Sequence, residues 1–197
     1  MLTDLDLVFI ARHGQTAWNL DGRRMGRLDS PLTTEGWQQT KQIATVACAQ
    51  RVDGVFASPL GRALSTAEHV ATSLACEIVL VDALAEIDHG TFAGLTTSQI
   101  TERFPNEWAA RMSHKYDWRF PGGESYCDAR GRADTALREV REHGMRRPLL
   151  VTHEMICRVL LMALLDLTPD QALLQSLPHG TVLAVRPSAR EVRSLPI

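Results

Sequence analysis

The sequence predicts an α/β domain built on a mostly parallel sheet, and three observations lead there. Short apolar runs rich in strand formers recur along the chain, each bounded by charge, glycine or proline. Between them lie stretches whose apolar residues repeat at helical spacing. The two kinds alternate, and alternating strands and helices build parallel sheets covered on their faces. The 197 residues suit one domain, 1–197, of ordinary size.

Leu7-Val8-Phe9-Ile10-Ala11 is a continuous apolar run followed by Arg12-His13-Gly14, the pattern of a strand buried on both faces. A helix is expected from about Thr33, since Thr34, Glu35 and Gln38 offer capping chemistry and Ile43, Val46 and Ala47 share a face. Val55-Phe56-Ala57 reads as a second strand. Ser58-Pro59 then opens a helix carrying Leu60, Leu64, Ala67, Val70 and Ala71. Ile78-Val79-Leu80-Val81 is a third strand. Residues 82–126, punctuated by Gly90, Gly94, Pro105, Pro121, Gly122 and Gly123, form an irregular stretch of the kind that often serves as a lid or specificity segment. A helix from about Glu124 to His143 leads to the strand Pro148–Thr152, and a very apolar helix runs from just after His153 to about Leu165. Thr181–Val185 and Glu191–Leu195 close the chain as a hairpin or edge pair.

Composition excludes several classes. At 45% hydrophobic and 22% charged residues the chain is neither disordered nor a disulfide scaffold. Lys+Arg 21 against Asp+Glu 23 leaves a net charge of −2, which offers no general field for nucleic acid or an anionic membrane. Any anion site must be local. Cys48, Cys76, Cys127 and Cys157 form no CxxC pair, so zinc-ribbon and thioredoxin readings lack their geometry, and reduced, mostly buried thiols are expected. The start Met1–Asp6 is acidic where a signal peptide is basic, and the longest apolar run, Val159–Leu165, is too short to cross a bilayer. A cytoplasmic protein without nucleic-acid or membrane partners is the expectation; nothing marks an oligomer interface.

In an open parallel sheet, ligands sit beyond the carboxyl ends of the strands. Arg12-His13-Gly14, Ser58-Pro59-Leu60-Gly61-Arg62 and Thr152-His153-Glu154 follow three predicted strands, and Glu86 follows the remaining one. Two imidazoles and two guanidiniums would converge there. Arginine forks match phosphoryl oxygens, and helix N-termini add backbone donors. A histidine held against such a group can form a covalent phospho-intermediate, and a carboxyl kept protonated can donate to the leaving oxygen.

Ala11-Arg12-His13-Gly14-Gln15-Thr16-Ala17-Trp18-Asn19, the stretch Gly26–Gly36 and Ser58-Pro59-Leu60-Gly61-Arg62-Ala63 resemble the histidine phosphatase superfamily, also called phosphoglycerate-mutase-like, on its phosphatase side. Glu86–Leu95, Phe120-Pro121-Gly122-Gly123-Glu124-Ser125 and Val151-Thr152-His153 continue the match in the same order. The resemblance spans nearly the whole chain. It implies a three-layer α/β/α sandwich with His13 as the phosphorylated nucleophile and Arg12, Arg62 and His153 completing the phosphate pocket. Asn19 would lie nearby and Glu86 would be the proton donor, with no metal or organic cofactor required. The implied partner is a small phosphorylated metabolite.

Duller readings compete at each position. A lone Arg-His at a strand end is usually a surface pair, and Glu86 has Asp88 two residues away. His153-Glu154 invites a metalloprotease reading, but HExxH needs a second histidine where Cys157 stands. His69, His89, His114 and His143 read as exposed or structural, and Cys157 as a small buried hydrophobe.

Three positions depart from the family pattern. Glu154 follows the second histidine where glycine is common; its charge would repel a second phosphate or select a cationic or hydroxyl-bearing substrate, or else point away and cap the helix. Met25 replaces a common glutamine, removing a donor, and His179 replaces a common asparagine, offering a donor at the pocket edge. The expected activity is a metal-independent phosphomonoesterase. Alternatives are mutase-type phosphoryl transfer, for which the chain looks short, a fructose-bisphosphatase, and a non-catalytic phospho-ligand-binding protein of the same fold.

Overall fold

A computed structural model describes residues 5–195; the extreme acidic start, Met1–Asp4, lies outside them. The elements run β1 (Val8–Arg12), α1 (Ala17–Leu20), α2 (Thr34–Ala49), β2 (Gly54–Ala57), α3 (Gly61–Leu74) and β3 (Ile78–Leu80). There follow α4 (Thr97–Arg103), α5 (Pro105–Ser113), α6 (Tyr126–Glu142), β4 (Pro148–Thr152), α7 (Glu154–Leu165), α8 (Pro169–Leu173), β5 (Val182–Arg186) and β6 (Glu191–Leu195).

One six-stranded sheet has the order β3-β2-β4-β1-β5-β6. β1, β2, β3 and β4 pair in parallel, and β5 pairs antiparallel with both β1 and β6. β2, β4 and β1 are buried along nearly their full length, as strands covered on both faces must be. Their side chains alternate. Val8, Ile10, Phe56 and Leu150 join a core with α6 and α7, whereas Phe9, Ala11, Val55, Ala57, Leu149 and Val151 join a second core with α2 and α3. This is the α/β fold with a mostly parallel sheet flanked by helices that the sequence predicted. The edge strand β6 carries Glu191 and Arg193, charges that discourage a further strand from pairing there.

The register places the polar strand ends together. Arg12 pairs with Thr152 and Ala57 with Val151, and two bonds extend the ladder, from His13 N–H to the Thr152 carbonyl and from Ser58 N–H to the Val151 carbonyl, both 3.0 Å. His13, Ser58 and His153 therefore leave neighbouring strands at nearly one level. The start of α2 presses on the loop after β1: a Cβ on Gly36 would stand 2.1 Å from the Gln15 carbonyl oxygen, so only glycine fits.

Several boundaries differ from expectation. Thr33, not Thr34, caps α2 by accepting the Gly36 N–H. α3 begins at Gly61 rather than at Ser58-Pro59, because its N-cap Leu60 is still extended (φ −69°, ψ 132°). The helix expected from Glu124 begins at Tyr126 behind a Ser125–Asp128 capping box. The short helices α1 and α8 went unpredicted; each is opened by its own capping box, at Thr16 and Thr168. Cys48 and Cys127 are exposed and only Cys157 is fully buried, against the expectation of mostly buried thiols, since the first two fall on the outer faces of α2 and α6. No helix among the described residues is long and apolar enough to cross a membrane.

Candidate active site

His13 sits just past the end of β1, 1% exposed. Its Nδ1 lies 2.8 Å from the Gly14 carbonyl oxygen, and its Nε2 lies 3.2 Å from Arg62 Nε. A carbonyl can only accept and a guanidinium can only donate, so Nδ1 carries the proton and Nε2 presents its lone pair. Burial, and then the charges of Arg62 and Arg12, hold the imidazole well below the usual histidine range, which keeps it neutral near pH 7. Those are the attributes of a nucleophile.

Arg62 belongs to the first turn of α3 and is almost wholly tied down. Its guanidinium donates to the Leu28 and Gly26 carbonyls at 2.7 and 2.9 Å and to the Asp29 carboxylate at 3.3 Å. Asp29 also accepts the Arg62 backbone N–H at 3.2 Å, so it caps from a distance a helix whose own N-cap, Leu60, offers no side-chain acceptor. Gly26 makes this possible: its φ is +54°, and a Cβ there would lie 2.7 Å from the His89 nitrogen.

His153 is fully buried at the start of α7. Its Nε2 lies 2.8 Å from the Ser58 hydroxyl, its Nδ1 has no partner, and its ring centroid is 5.2 Å from that of His13. Burial and Arg62 keep it, too, well below the usual range. Arg12 at the end of β1 donates to Glu154 at 2.9 Å, while its Nε is buried and unpaired. A buried donor without an acceptor costs about 1–3 kcal/mol. Orphans at two adjacent positions are what an anion-binding pocket looks like when its oxygens are supplied from outside.

Glu86, 7% exposed, follows the turn after β3. Its oxygens accept the Ile87 N–H at 2.9 Å and, more weakly, the Met155 N–H at 3.4 Å. Burial raises its pKa above the usual carboxylate value and outweighs the opposing bonds and arginines, which favours a protonated acid.

Arg12, His13, Arg62 and Glu86 line a cavity of about 510 Å³, large enough for a whole metabolite. Beyond the expected residues it is walled by Arg23, Arg24, Arg111, Lys115 and Arg158, against only two carboxylates, Glu86 and Glu154. A net charge near zero thus conceals a strongly cationic hollow, unsuited to a metal cation and suited to anions. Among the described residues no three His, Cys, Asp or Glu side chains gather as a metal cluster.

The remaining expectations divide. Asn19 and Met25 both line the cavity. Asn19 Oδ1 accepts from the Thr16 N–H and hydroxyl at 3.0 and 2.9 Å, and Met25 Sδ lies 3.4 Å from the same hydroxyl. His179 does not line the cavity; its Nδ1 donates to the His13 carbonyl at 2.9 Å and its ring packs 5.2 Å from the His13 ring, making it a brace rather than a donor at the edge. Glu154 does line the cavity, but Arg12 and Arg158 both bind it and pull its pKa down. A carboxylate neutralised by two arginines does not repel a second phosphate, so that expectation fails; nor does Glu154 supply a cap. His89, read as exposed or structural, is buried on the cavity wall against Phe120 and Met155, with its pKa pushed down to about 3 by burial and Arg24. Sequence reasoning missed Asp29, His89 and the outer cations. Only Asp29 carried a usable signal, its place inside the Gly26–Gly36 stretch.

Residues 8–195 match the family described as Histidine phosphatase superfamily (branch 1). The chain is 35% identical over 161 residues to a protein of Escherichia coli O1:K1 named Probable phosphoglycerate mutase GpmB, covering 81% of this chain and 75% of that one. A mycobacterial glucosyl-3-phosphoglycerate phosphatase complexed with VO3 superposes with a TM-score of 0.83 at 27% identity, over 91% of this chain and 92% of that one. An alpha-ribazole phosphatase from Shigella flexneri superposes at 0.86 over 97% and 95%, but at 20% identity it speaks for the fold alone.

Proposed function

The chain belongs to the histidine phosphatase superfamily, and from that premise we propose that it is a metal-independent phosphomonoesterase working through phospho-His13. The observation that carries this reading is the His13 tautomer: a buried, neutral imidazole with its Nε2 lone pair turned toward Arg62 and the charge of Arg12 nearby.

In the proposed reaction a phosphoryl group enters between Arg12, Arg62 and His153. Arg62 Nε exchanges its bond to His13 Nε2 for one to a phosphoryl oxygen, and the orphaned Arg12 Nε and His153 Nδ1 gain acceptors. Nε2 attacks phosphorus, the ester P–O bond breaks, and the Glu86 carboxyl passes its proton to the departing alkoxide. Glu86 then deprotonates a water that attacks phospho-His13, releasing phosphate and restoring both groups. The donors stabilise charge as it spreads over the transferring oxygens.

The test is turnover of p-nitrophenyl phosphate in the presence of EDTA, with rapid-quench isolation of acid-labile phosphoprotein. His13→Ala should lower kcat by roughly 10⁴-fold or more and abolish the labelled intermediate. Retention of most activity would sink the mechanism. The 35% identity to the protein named Probable phosphoglycerate mutase GpmB favours a second reading, in which phospho-His13 returns its phosphate to another hydroxyl. Incubation with 3-phosphoglycerate and a bisphosphoglycerate primer separates the two: free phosphate supports hydrolysis and isomerised product supports transfer.

A further inference from the structure

Arg12 stands at the end of β1 and Arg62 in the first turn of α3, yet both are held in one way. Each donates from Nη1 to one carboxylate and one backbone carbonyl. Arg12 reaches Glu154 at 2.9 Å and Leu177 at 3.4 Å; Arg62 reaches Asp29 at 3.3 Å and Leu28 at 2.7 Å. Nη1 of a guanidinium carries two N–H groups, so these partners occupy that end of each side chain. What remains is the Nε–Nη2 edge, whose parallel N–H bonds match two oxygens of a phosphoryl group. On Arg12 the Nε of that edge is buried without a partner. On Arg62 it meets His13 Nε2 at 3.2 Å, while Nη2 also donates to the Gly26 carbonyl.

The two carboxylates are anchored in turn. Asp29 accepts the backbone N–H groups of Arg62 at 3.2 Å and Ser30 at 3.1 Å. Glu154 accepts from Arg158 at 2.5 Å, and Arg158 donates onward to the Tyr126 hydroxyl and the Gln175 carbonyl, both at 2.8 Å. Such an arrangement works against simple attraction, because each carboxylate offsets part of the positive charge that draws an anion. An arginine that served only to attract phosphate would do so better alone. The carboxylates give direction at the expense of pull.

We propose that Asp29 and Glu154 are positioning residues, which fix the Nε–Nη2 edges of Arg62 and Arg12 on the transferring phosphoryl group. The inference rests on the phosphatase reading, and neither carboxylate touches the reacting atoms in it. Their benefit falls in the transition state, where donors must meet the oxygens at set positions and a displacement of about 1 Å costs roughly 10²-fold.

Turnover of p-nitrophenyl phosphate and its inhibition by inorganic phosphate test this. Asp29→Ala and Glu154→Ala should each lower kcat by about ten- to a hundredfold, with phosphate bound as tightly as before or more so, since a charge opposing the anion has gone. Glu154→Gln, whose amide oxygen serves only one of the two arginines, should fall between Glu154→Ala and the native protein. Asp29→Asn takes the place of Asp29→Ala if loss of the α3 cap unfolds the latter. A parallel loss of kcat and phosphate affinity marks a merely structural role and overturns the proposal. So does an unchanged kcat with tighter phosphate, which would leave the carboxylates tuning charge alone. Vanadate, which takes up the trigonal-bipyramidal geometry of phosphoryl transfer, reads the alignment without chemistry: calorimetry should show the native protein preferring vanadate to phosphate and the variants losing that preference. Variants that keep it overturn the proposal. A native protein that shows the preference but hydrolyses no ester would reject the phosphatase reading and keep the positioning; turnover indifferent to both residues would do the reverse.

Discussion

The two ends of the cavity are built in opposite ways. At the phosphoryl end His13, His153 and Arg62 leave a strand of the central sheet or the first turn of the helix after it, and a fixed partner sets the orientation of each: the Gly14 carbonyl for His13, Ser58 for His153, and Asp29 with two carbonyls for Arg62. At the outer end the cations come from α5, α7 and the loops around them, and Arg24 and Arg111 rest on aromatic rings. Sheet-borne groups with bonded partners cannot shift by much, whereas a guanidinium on a ring can slide over its face. Under the proposed function, reaction geometry and substrate choice would sit on separable scaffolds, and substitutions should move one without the other.

The sharpest attempt to break that separation is Arg62→Met, which keeps bulk and loses every donor. It should lower kcat by about 10²–10³-fold and do so equally for substrates with one anionic group or two. Steady-state kinetics on phosphoserine and phosphoethanolamine, which differ by one carboxylate, checks it: a shift in their ratio comparable with the loss in rate would show that the two ends act as one.

Glu86→Gln probes the same end with a smaller effect. In the native protein the proposed reaction needs Glu86 protonated and His13 neutral. Because burial raises the first and depresses the second, the kcat/KM profile should have an acid limb well below pH 6.5 and an alkaline limb above pH 4.5. The glutamine variant should lose the alkaline limb and about 10²-fold in kcat/KM on alkyl phosphates. p-Nitrophenyl phosphate, whose leaving group departs without a proton, should suffer far less. Equal losses on both esters would remove Glu86 from leaving-group protonation.

The contrast also marks what was legible in the chain. The phosphoryl end could be read in order, because strands buried on both faces write themselves as apolar runs and the polar residues just beyond them stand out: Arg12-His13, Ser58 to Arg62 and Thr152-His153. Glu86 was less legible, because Asp82 and Asp88 flank it after the third such run and its role as proton donor came from the family resemblance. The outer end was not, because residues 82–126 pack through side chains of α4, α5 and the intervening turns rather than through a repeating pattern. Arg111 reads as a solvated arginine on a short helix; its burial depends on Phe120 and Trp118 folding over it, which no local pattern announces. Glu154 was singled out correctly but given the wrong effect, since its role follows from Arg158 one helical turn on and Arg12 on another element. His179 failed in the same way, its partner being a backbone carbonyl 166 residues distant.

Glu154 joins the two ends, so its replacement is the finest probe of their separation. Glu154→Gln keeps the shape and releases Arg12 and Arg158 from a shared carboxylate. The freed Arg158 adds an unpaired charge to the cationic outer wall, which should raise the phosphoserine to phosphoethanolamine ratio about threefold, since a charge-assisted contact with a partly exposed partner is worth under about 1 kcal/mol. Stability should move the other way. Arg12 and Arg158 depress the Glu154 pKa below 4.5, so its stabilisation is present above that value and lost as pH falls through the lower folded-state value. Thermal melts should show the variant below the native protein at neutral pH, with the gap closing under acid. If instead both substrates react more slowly with the variant and their ratio stays fixed, Glu154 serves only to aim Arg12 at the phosphoryl group, and the boundary between the two ends runs along α7 between Glu154 and Arg158.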